Sequence, residues 1–326
     1  LTTEVIKIKE AFESIKNEIG KYIVGRESAL ERLFISLLTG GHVLIEGVPG
    51  TAKTYLAKGF ATTLGLDFKR IQLTPDLLPS DIIGVTVFNQ KTASFEFRKG
   101  PIFTNILLAD EINRTPPRTQ SALLEAMQEN QVTIDGITYK LPQPFMVIAT
   151  ENPVESEGVY PLPEAQLDRF LFRIAVSYPA ETEEIDILRR KRLLGESLNV
   201  NVILQPNDII KFKNIINNEI KVEEPILQYI ISLVRATREN SSIMLGGSTR
   251  AAVHLLYAAR AHAAISEGRS YVIPDDVKEL FIDLMNHRIV LRPEVLIGTY
   301  SREPLWSYNL VKRILTEVIE SVPVPR

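Results

Sequence analysis

Apolar residues recur at helical spacing near the start of the chain. Ile8, Phe12, Ile15 and Ile19 fall on one face of a predicted helix over residues 4–20, and Gly20 fits its stop. A second helix follows Gly25, from Glu27 to Leu38, and ends at Gly40-Gly41. The pattern then changes. His42 to Glu46 is a short apolar run, the mark of a strand buried on both faces. A glycine-bearing loop and a helix come next. Further strands are predicted at 68–73, 106–109, 145–149 and 170–176, with a helix at 120–129. Val85, Val87, Phe95 and Phe97 alternate around Asn89–Ser94, which predicts a hairpin over 84–97. A second hairpin, over 132–141, turns at Asp135-Gly136.

After Tyr178-Pro179 the character shifts. Residues 182–195, 207–218, 225–240, 249–267, 275–286 and 304–320 read as helices, with Pro206, Pro225, Pro274 and Pro304 near their starts, where proline is tolerated. Strands alternating with helices imply a mainly parallel sheet covered on both faces. The expectation is an α/β domain over 1–179 and a smaller all-helical domain over 180–326. There is no internal repeat and no low-complexity tract.

Composition adds limits. The 326 residues suit two domains, with 45% hydrophobic and 24% charged residues, the balance of an ordinary globular protein. A net charge of -3 gives no general signature of nucleic-acid binding. With no cysteine there is no disulfide framework and no thiolate metal site. His42, His254, His262 and His287 are scattered without metal-ligand spacing. No run approaches the roughly 18 apolar residues of a membrane span. The chain opens on Leu1 rather than methionine, which leaves its natural start open, and its first residues show no signal-peptide pattern.

The sharpest chemical signal is Gly47-Val48-Pro49-Gly50-Thr51-Ala52-Lys53-Thr54. It departs from the short pattern G-x-x-x-x-G-K-[ST], because Ala52 precedes the lysine and the second glycine is Gly50. Yet it lies between a predicted strand and helix, where a phosphate loop belongs. Backbone N–H groups there surround phosphates, and glycines let the chain come close. Lys53 places a charge on the β/γ-phosphates, and Thr54 can ligate Mg²⁺. The flanking elements favour this over a plain Gly-Pro turn with a solvated lysine. Further on, Ile106-Leu107-Leu108-Ala109 is an apolar strand that ends in Asp110-Glu111. Ligands bind at such strand ends. Asp110 is placed to hold Mg²⁺, directly or through water, and Glu111 to activate or position a water. Alone, the two acids would read as the start of a solvated loop. Beside the loop they read as a site.

These motifs, in this order and with helices behind them, resemble the AAA+ ATPases and, more closely, the MoxR family. The likeness runs through residues 41–54, through Thr74-Pro75-Asp76-Leu77-Leu78-Pro79-Ser80-Asp81, and through Gly100-Pro101-Ile102-Phe103 into Leu108 to Arg114. It continues in Gln120 to Glu129 and in Tyr160 to Phe170, covering most of residues 20–180 and extending more loosely beyond. The resemblance implies ATP and Mg²⁺ as ligands. By it, Val24 and Gly25 match the segment against adenine, and Gly47, Pro49, Gly50, Thr51, Ala52, Lys53 and Thr54 the phosphate loop. Asn152 matches the polar sensor that orients the attacking water, and Arg169 an arginine finger for a neighbouring subunit. Arg250, in Gly246-Gly247-Ser248-Thr249-Arg250, matches the second-domain sensor, acting in its own subunit or the next. Relatives often carry proline where Thr249 stands.

The resemblance further implies a homo-oligomeric ring, a hexamer, with a protein client or a von Willebrand factor A-type partner, and an ATP user without cysteine or leader is expected in the cytoplasm. The two hairpins would be inserts of the family's group, and Phe88 and Phe95 would engage a client or cover the core. Remodelling or activation of a protein client is the leading expectation. One alternative is the ATPase subunit of a metal-chelatase-like complex. Another is a nucleic-acid motor, for which Arg189-Arg190-Lys191-Arg192 and Lys211/Lys213 are the basic clusters, though these read first as solvated helix faces. A scaffold without turnover would usually have lost the equivalents of Glu111, Asn152 or Arg169.

Overall fold

Val5, Ile8, Phe12, Ile15 and Ile19 form the buried face of α1 (Thr2–Gly20) in the computed structural model, which describes residues 2–153, 158–195, 197–301 and 303–325. Helix α2 (Glu27–Thr39) stops at Gly40, whose φ of 76° is the left-handed conformation that glycine adopts without steric cost. Next come β1 (Val43–Gly47), α3 (Lys53–Thr63), β2 (Phe68–Gln72), α4 (Pro79–Ile83), β3 (Gly84–Asn89), β4 (Ser94–Lys99) and β5 (Ile106–Asp110). Then come α5 (Pro117–Glu129), β6 (Gln131–Ile134), β7 (Ile137–Lys140), β8 (Met146–Glu151), α6 (Glu164–Leu167) and β9 (Phe172–Val176).

Five of these strands form one parallel sheet in the order β2-β5-β8-β1-β9. Side chains alternate across it. Val43, Ile45, Ile106, Leu108, Met146 and Ile148 join one core, while Leu44, Leu107, Ala109, Val147 and Ala149 join another on the opposite face. Burial on both faces explains why β1, β5 and β8, the inner strands, read as apolar runs. Both hairpins form: β3 pairs with β4 and β6 with β7. The second turns through Asp135 (φ 50°) and Gly136 (φ 78°), the two positive angles that a tight hairpin turn requires.

The second half contains α7 (Glu181–Leu194), α8 (Pro206–Glu219), α9 (Glu224–Glu239), β10 (Ile243–Leu245), α10 (Thr249–Ser266), α11 (Pro274–Met285), β11 (Val290–Leu291), α12 (Pro293–Thr299) and α13 (Trp306–Ser321). The six expected helices are present. The short helices α4, α6 and α12 and the antiparallel pair β10–β11 are additions, each too short to show a period in sequence. Four helices begin with the same device. Asp81, Glu183, Asp208 and Asp276 each accept a hydrogen bond from the backbone N–H three residues earlier, satisfying a donor at the helix start.

One core joins the two halves. Ala251, Ala252, Ala258, Ala259, Ala261, Ala263 and Ala264 line the buried face of α10 and share a hydrophobic cluster with α1, α2 and α3. Small side chains let α10 approach α1 and α2 closely. Arg32 adds a polar joint at the same interface. Its side chain is 2% exposed and pairs with Glu31 (2.5 Å), Glu279 (3.2 Å) and Asp283 (3.0 Å), the last two on α11. Removing one partner of a buried ion pair strands the other charges. Arg32→Leu is therefore expected to lower stability by about 3–5 kcal/mol in urea unfolding. A loss below about 1 kcal/mol would mean that the joint contributes little.

Candidate functional site

Strand β1 delivers Gly47 to the carboxyl edge of the sheet, and the chain turns there into α3. Val48 is buried, and Thr51 Oγ1 donates to the Val48 carbonyl at 2.9 Å, so the loop is folded on itself. Gly47 is required by crowding: a Cβ there would stand 2.7 Å from the Val176 carbonyl oxygen. Gly50 (φ 79°) and Ala52 (φ 62°) both take left-handed backbone. Ala52 occupies the position before the lysine where the short motif has glycine, so this chain holds a Cβ in a conformation that costs roughly 1–2 kcal/mol. Lys53 Nζ donates to the Gly47 carbonyl at 2.6 Å. Burial draws the Lys53 ammonium below the usual lysine range, and the charges of Asp110 and Glu111 oppose that shift.

Asp110 and Glu111 stand at the end of β5, facing this loop. Asp110 accepts hydrogen bonds from Arg70 (Nη2 2.6 Å, Nε 3.1 Å) and from Thr150 Oγ1 (2.5 Å). Glu111 has a φ of 59°, and its N–H donates to Thr150 Oγ1 at 2.9 Å. Its carboxylate accepts from Gln72 Nε2 at 2.8 Å and pairs with Arg114 at 3.3 Å. No motif in the sequence singles out Arg70, Gln72 or Thr150. They lie on β2 and β8, the two neighbours of β5, and only the strand order brings them to the acids.

A cleft of about 530 Å³ collects Val24, Pro49, Gly50, Thr51, Ala52, Lys53, Thr54, Asp110, Glu111 and Asn152. Thr54 and Asp110 present hard oxygen donors, the chemistry that magnesium takes, and among the described residues no cluster of three His, Asp or Glu side chains could hold a metal alone. Tyr22, Ile23, Ile187, Leu194 and Leu198 add an apolar wall. Gly25 and Gly47 do not line the cleft. Gly25 (φ 67°) instead lets Glu183 of α7 come close, since a Cβ would lie 2.2 Å from its carboxylate oxygen. Helix α7 thereby leans on the cleft, with Arg190 donating to the Gly20 carbonyl and Lys191 4.6 Å above the Tyr55 ring.

Arg169 and Arg250 are not in this cleft. Both line a second one, of about 320 Å³, together with Gly41, His42, Asn130, His254 and Tyr257, and the two clefts share no residue. Strand direction explains the separation. In the parallel pair β1–β9, Val43 stands beside Phe172 and Gly47 beside Val176. The loop leaves from the Gly47 end, whereas Arg169 precedes the Phe172 end. At about 3.3 Å per residue the strands alone set them roughly 13 Å apart, before the residues between Arg169 and Phe172 are added. Arg250 Nη1 bonds Asp168 Oδ2 at 3.2 Å, so it too belongs to the far edge.

An acidic pair lies beside the loop, with Glu46 buried and Glu151 partly so. Glu46 and Glu151 are register partners on β1 and β8, and Arg173 Nη2 is 2.6 Å from Glu46 Oε2. Burial pushes the Glu151 carboxyl up to about 7; Arg173 opposes the rise and the Glu46 charge adds to it.

Residues 42–172 match the profile of the ATPase family associated with various cellular activities (AAA), and residues 235–301 match the AAA lid domain. Chaperone MoxR1 of Mycobacterium tuberculosis is 42% identical over 335 residues, covering 100% of this chain and 84% of its own length. The uncharacterized protein YeaC of Bacillus subtilis is 45% identical over 308 residues, covering 94% of this chain and 93% of its own. A crystal structure from Cytophaga hutchinsonii, described as a candidate ATPase, superposes with a TM-score of 0.89 at 43% identity over 99% of this chain and 98% of its own.

The Glu151 carboxyl gives a pH test. Its folded value, about 7, is above the ordinary 4.5, so its stabilising contribution is complete below about pH 4.5 and is lost as pH rises through 7. Discounted for partial exposure, the loss is roughly 2 kcal/mol. Glu151→Gln should gain on the wild type by about that amount between pH 5 and pH 8 in urea unfolding. Parallel pH profiles for the two proteins would contradict this.

Proposed function

The chain belongs to the MoxR family of AAA+ ATPases, and from that premise we propose that it binds ATP in the first cleft and hydrolyses it with residues supplied by a neighbouring copy. The observation that carries this reading is the placement of Arg169 and Arg250 at the sheet edge away from their own phosphate loop. An arginine finger stabilises charge on the transferring phosphoryl group only from within contact distance. These two cannot reach their own nucleotide, so they serve another subunit's. Sites completed in this way close into a ring, and six subunits is the size we propose.

Within one subunit the roles divide by position. The loop backbone from Pro49 to Thr54 surrounds the phosphates, and Lys53 exchanges the Gly47 carbonyl for phosphate oxygens. Tyr22 to Val24 and the apolar residues of α7 take the base. Thr54 and Asp110 would hold magnesium, which would offset charge on the β- and γ-phosphates. Glu111 accepts a proton from the attacking water, and Asn152 orients that water. Glu111 is engaged by Gln72 and Arg114, so its carboxylate must leave them to reach the water.

The proposed output is remodelling or activation of a protein client in the cytoplasm, and a von Willebrand factor A-type partner is the family-level expectation. The relative named a chaperone supports a protein client. Among the described residues no helix is long and apolar enough to cross a membrane. The reading as a nucleic-acid motor loses ground because Arg190 and Lys191, half of the basic run on α7, line the first cleft. A metal-chelatase-like subunit would share this architecture and differ in its partner.

Three substitutions separate the roles, read by nucleotide binding and phosphate release. Lys53→Ala should lose ATP binding. Glu111→Gln should bind ATP without cleaving it. Arg169→Ala should bind ATP with unchanged affinity and lose turnover by about 10³-fold or more. Full turnover in Arg169→Ala would overturn the shared site.

A further inference from the structure

Arg169 and Arg250 come from different halves of the chain, one just before β9 and the other in the first turn of α10. A third arginine joins their surroundings. Arg288, between α11 and β11, has a side chain only 1% exposed. It donates to Asp168 Oδ1 at 3.0 Å, to the Phe170 carbonyl at 2.6 Å and to His254 Nδ1 at 2.8 Å. Asp168 and Phe170 flank Arg169 in sequence. His254 lies one helical turn beyond Arg250, and Asp168 Oδ2 takes Arg250 itself. A single carboxylate thus bridges a buried arginine and a half-exposed one, with Arg169 between its anchor points.

The neighbours of Arg288 reinforce the contact. His287 Nε2 donates to the Phe170 carbonyl at 2.9 Å, and Asn286 Oδ1 accepts from Arg173 at 3.4 Å. His287 and Arg288 therefore grip the residues that flank Arg169, and Asn286 holds the strand that follows. Arg169 and Arg250 line one cleft as like charges that repel each other, and Asp168, held by Arg288, ties Arg250 beside Arg169. His254 accepts at Nδ1 and is held neutral, so it adds no further positive charge at neutral pH.

We propose that Arg288 is a positioning residue which, through Asp168 and Phe170, sets Arg169 and Arg250 as one rigid pair for the nucleotide of a neighbouring copy. It touches no nucleotide. This rests on the shared-site reading above. It assigns a role to a buried side chain whose geometry would otherwise read as a fold contact between the two halves.

The test is complementation between full-length variants. Arg288→Met should keep ATP binding at its own loop within about twofold and lose turnover by roughly 100-fold, the cost of a misplaced catalytic group. Mixed with Lys53→Ala, which has intact arginines and no working loop, it should recover turnover roughly tenfold or more above either variant alone. Arg169→Ala mixed with Lys53→Ala is the control. Asp168→Asn, nearly isosteric, is tested in the same way should Arg288→Met fail to fold. Rescue of both the control and the Arg288 or Asp168 variant supports the proposal. Rescue of the control alone overturns it while leaving the shared site standing. Rescue of neither overturns the shared site and the proposal with it. Full turnover in unmixed Arg288→Met, or in unmixed Asp168→Asn where that variant stands in, also overturns the proposal.

Discussion

Parallel pairing of β1 with β9 is the constraint on which the rest depends. Strands that run the same way put all their exiting segments at one edge of the sheet and all their entering segments at the other. The phosphate loop leaves β1, and Asp110, Glu111 and Asn152 end or leave β5 and β8. They converge because their strands are neighbours in one parallel sheet. Arg169 precedes β9 and is sent to the opposite edge by the same rule. The alanine face of α10 then docks the helical half against α1 and α2, which brings Arg250 beside Asp168 rather than over the loop. On the proposed reading, a subunit built this way supplies half of each of two sites.

Electrostatics within the first cleft are a set of paired charges. Lys53 is turned back onto the carbonyl of Gly47, Asp110 is held by Arg70, and Glu111 by Gln72 and Arg114. Each charged group has a protein partner, which on the proposed reading phosphate, metal or water would replace. Exchanging partners costs less than exposing an unpaired buried charge. The Gly47 carbonyl and the nearby charges of Asp110 and Glu111 therefore keep Lys53 compensated.

Much of this is legible in the sequence, for physical reasons. Strands buried on both faces leave continuous apolar runs, so β1, β5 and β8 are visible, and Asp135-Gly136 marks its hairpin because only a few residues accept two positive φ angles. The phosphate loop and the two acids announce themselves by chemistry at strand ends. The features that stay hidden depend on strand order. Gln72, Arg70 and Thr150 become site neighbours only when β2 and β8 flank β5, and no period in the chain encodes that. Helix α4 and its like are shorter than the two turns a period needs. Arg288 sits more than a hundred residues from Asp168, and nothing local distinguishes it from a surface arginine. Whether Arg250 serves its own subunit is open in sequence; the fold sets it beside Asp168, and the shared-site proposal is built on that placement.

The central claim is that catalytic sites form between copies. Steady-state ATPase rate against protein concentration tests it most directly, with Glu111→Gln as the blank. The account predicts a specific activity that rises with concentration and then levels off as subunits assemble. An activity per chain that stays constant down to concentrations where sizing shows only monomer would contradict it, because a lone subunit would then be hydrolysing ATP without a neighbour's arginines.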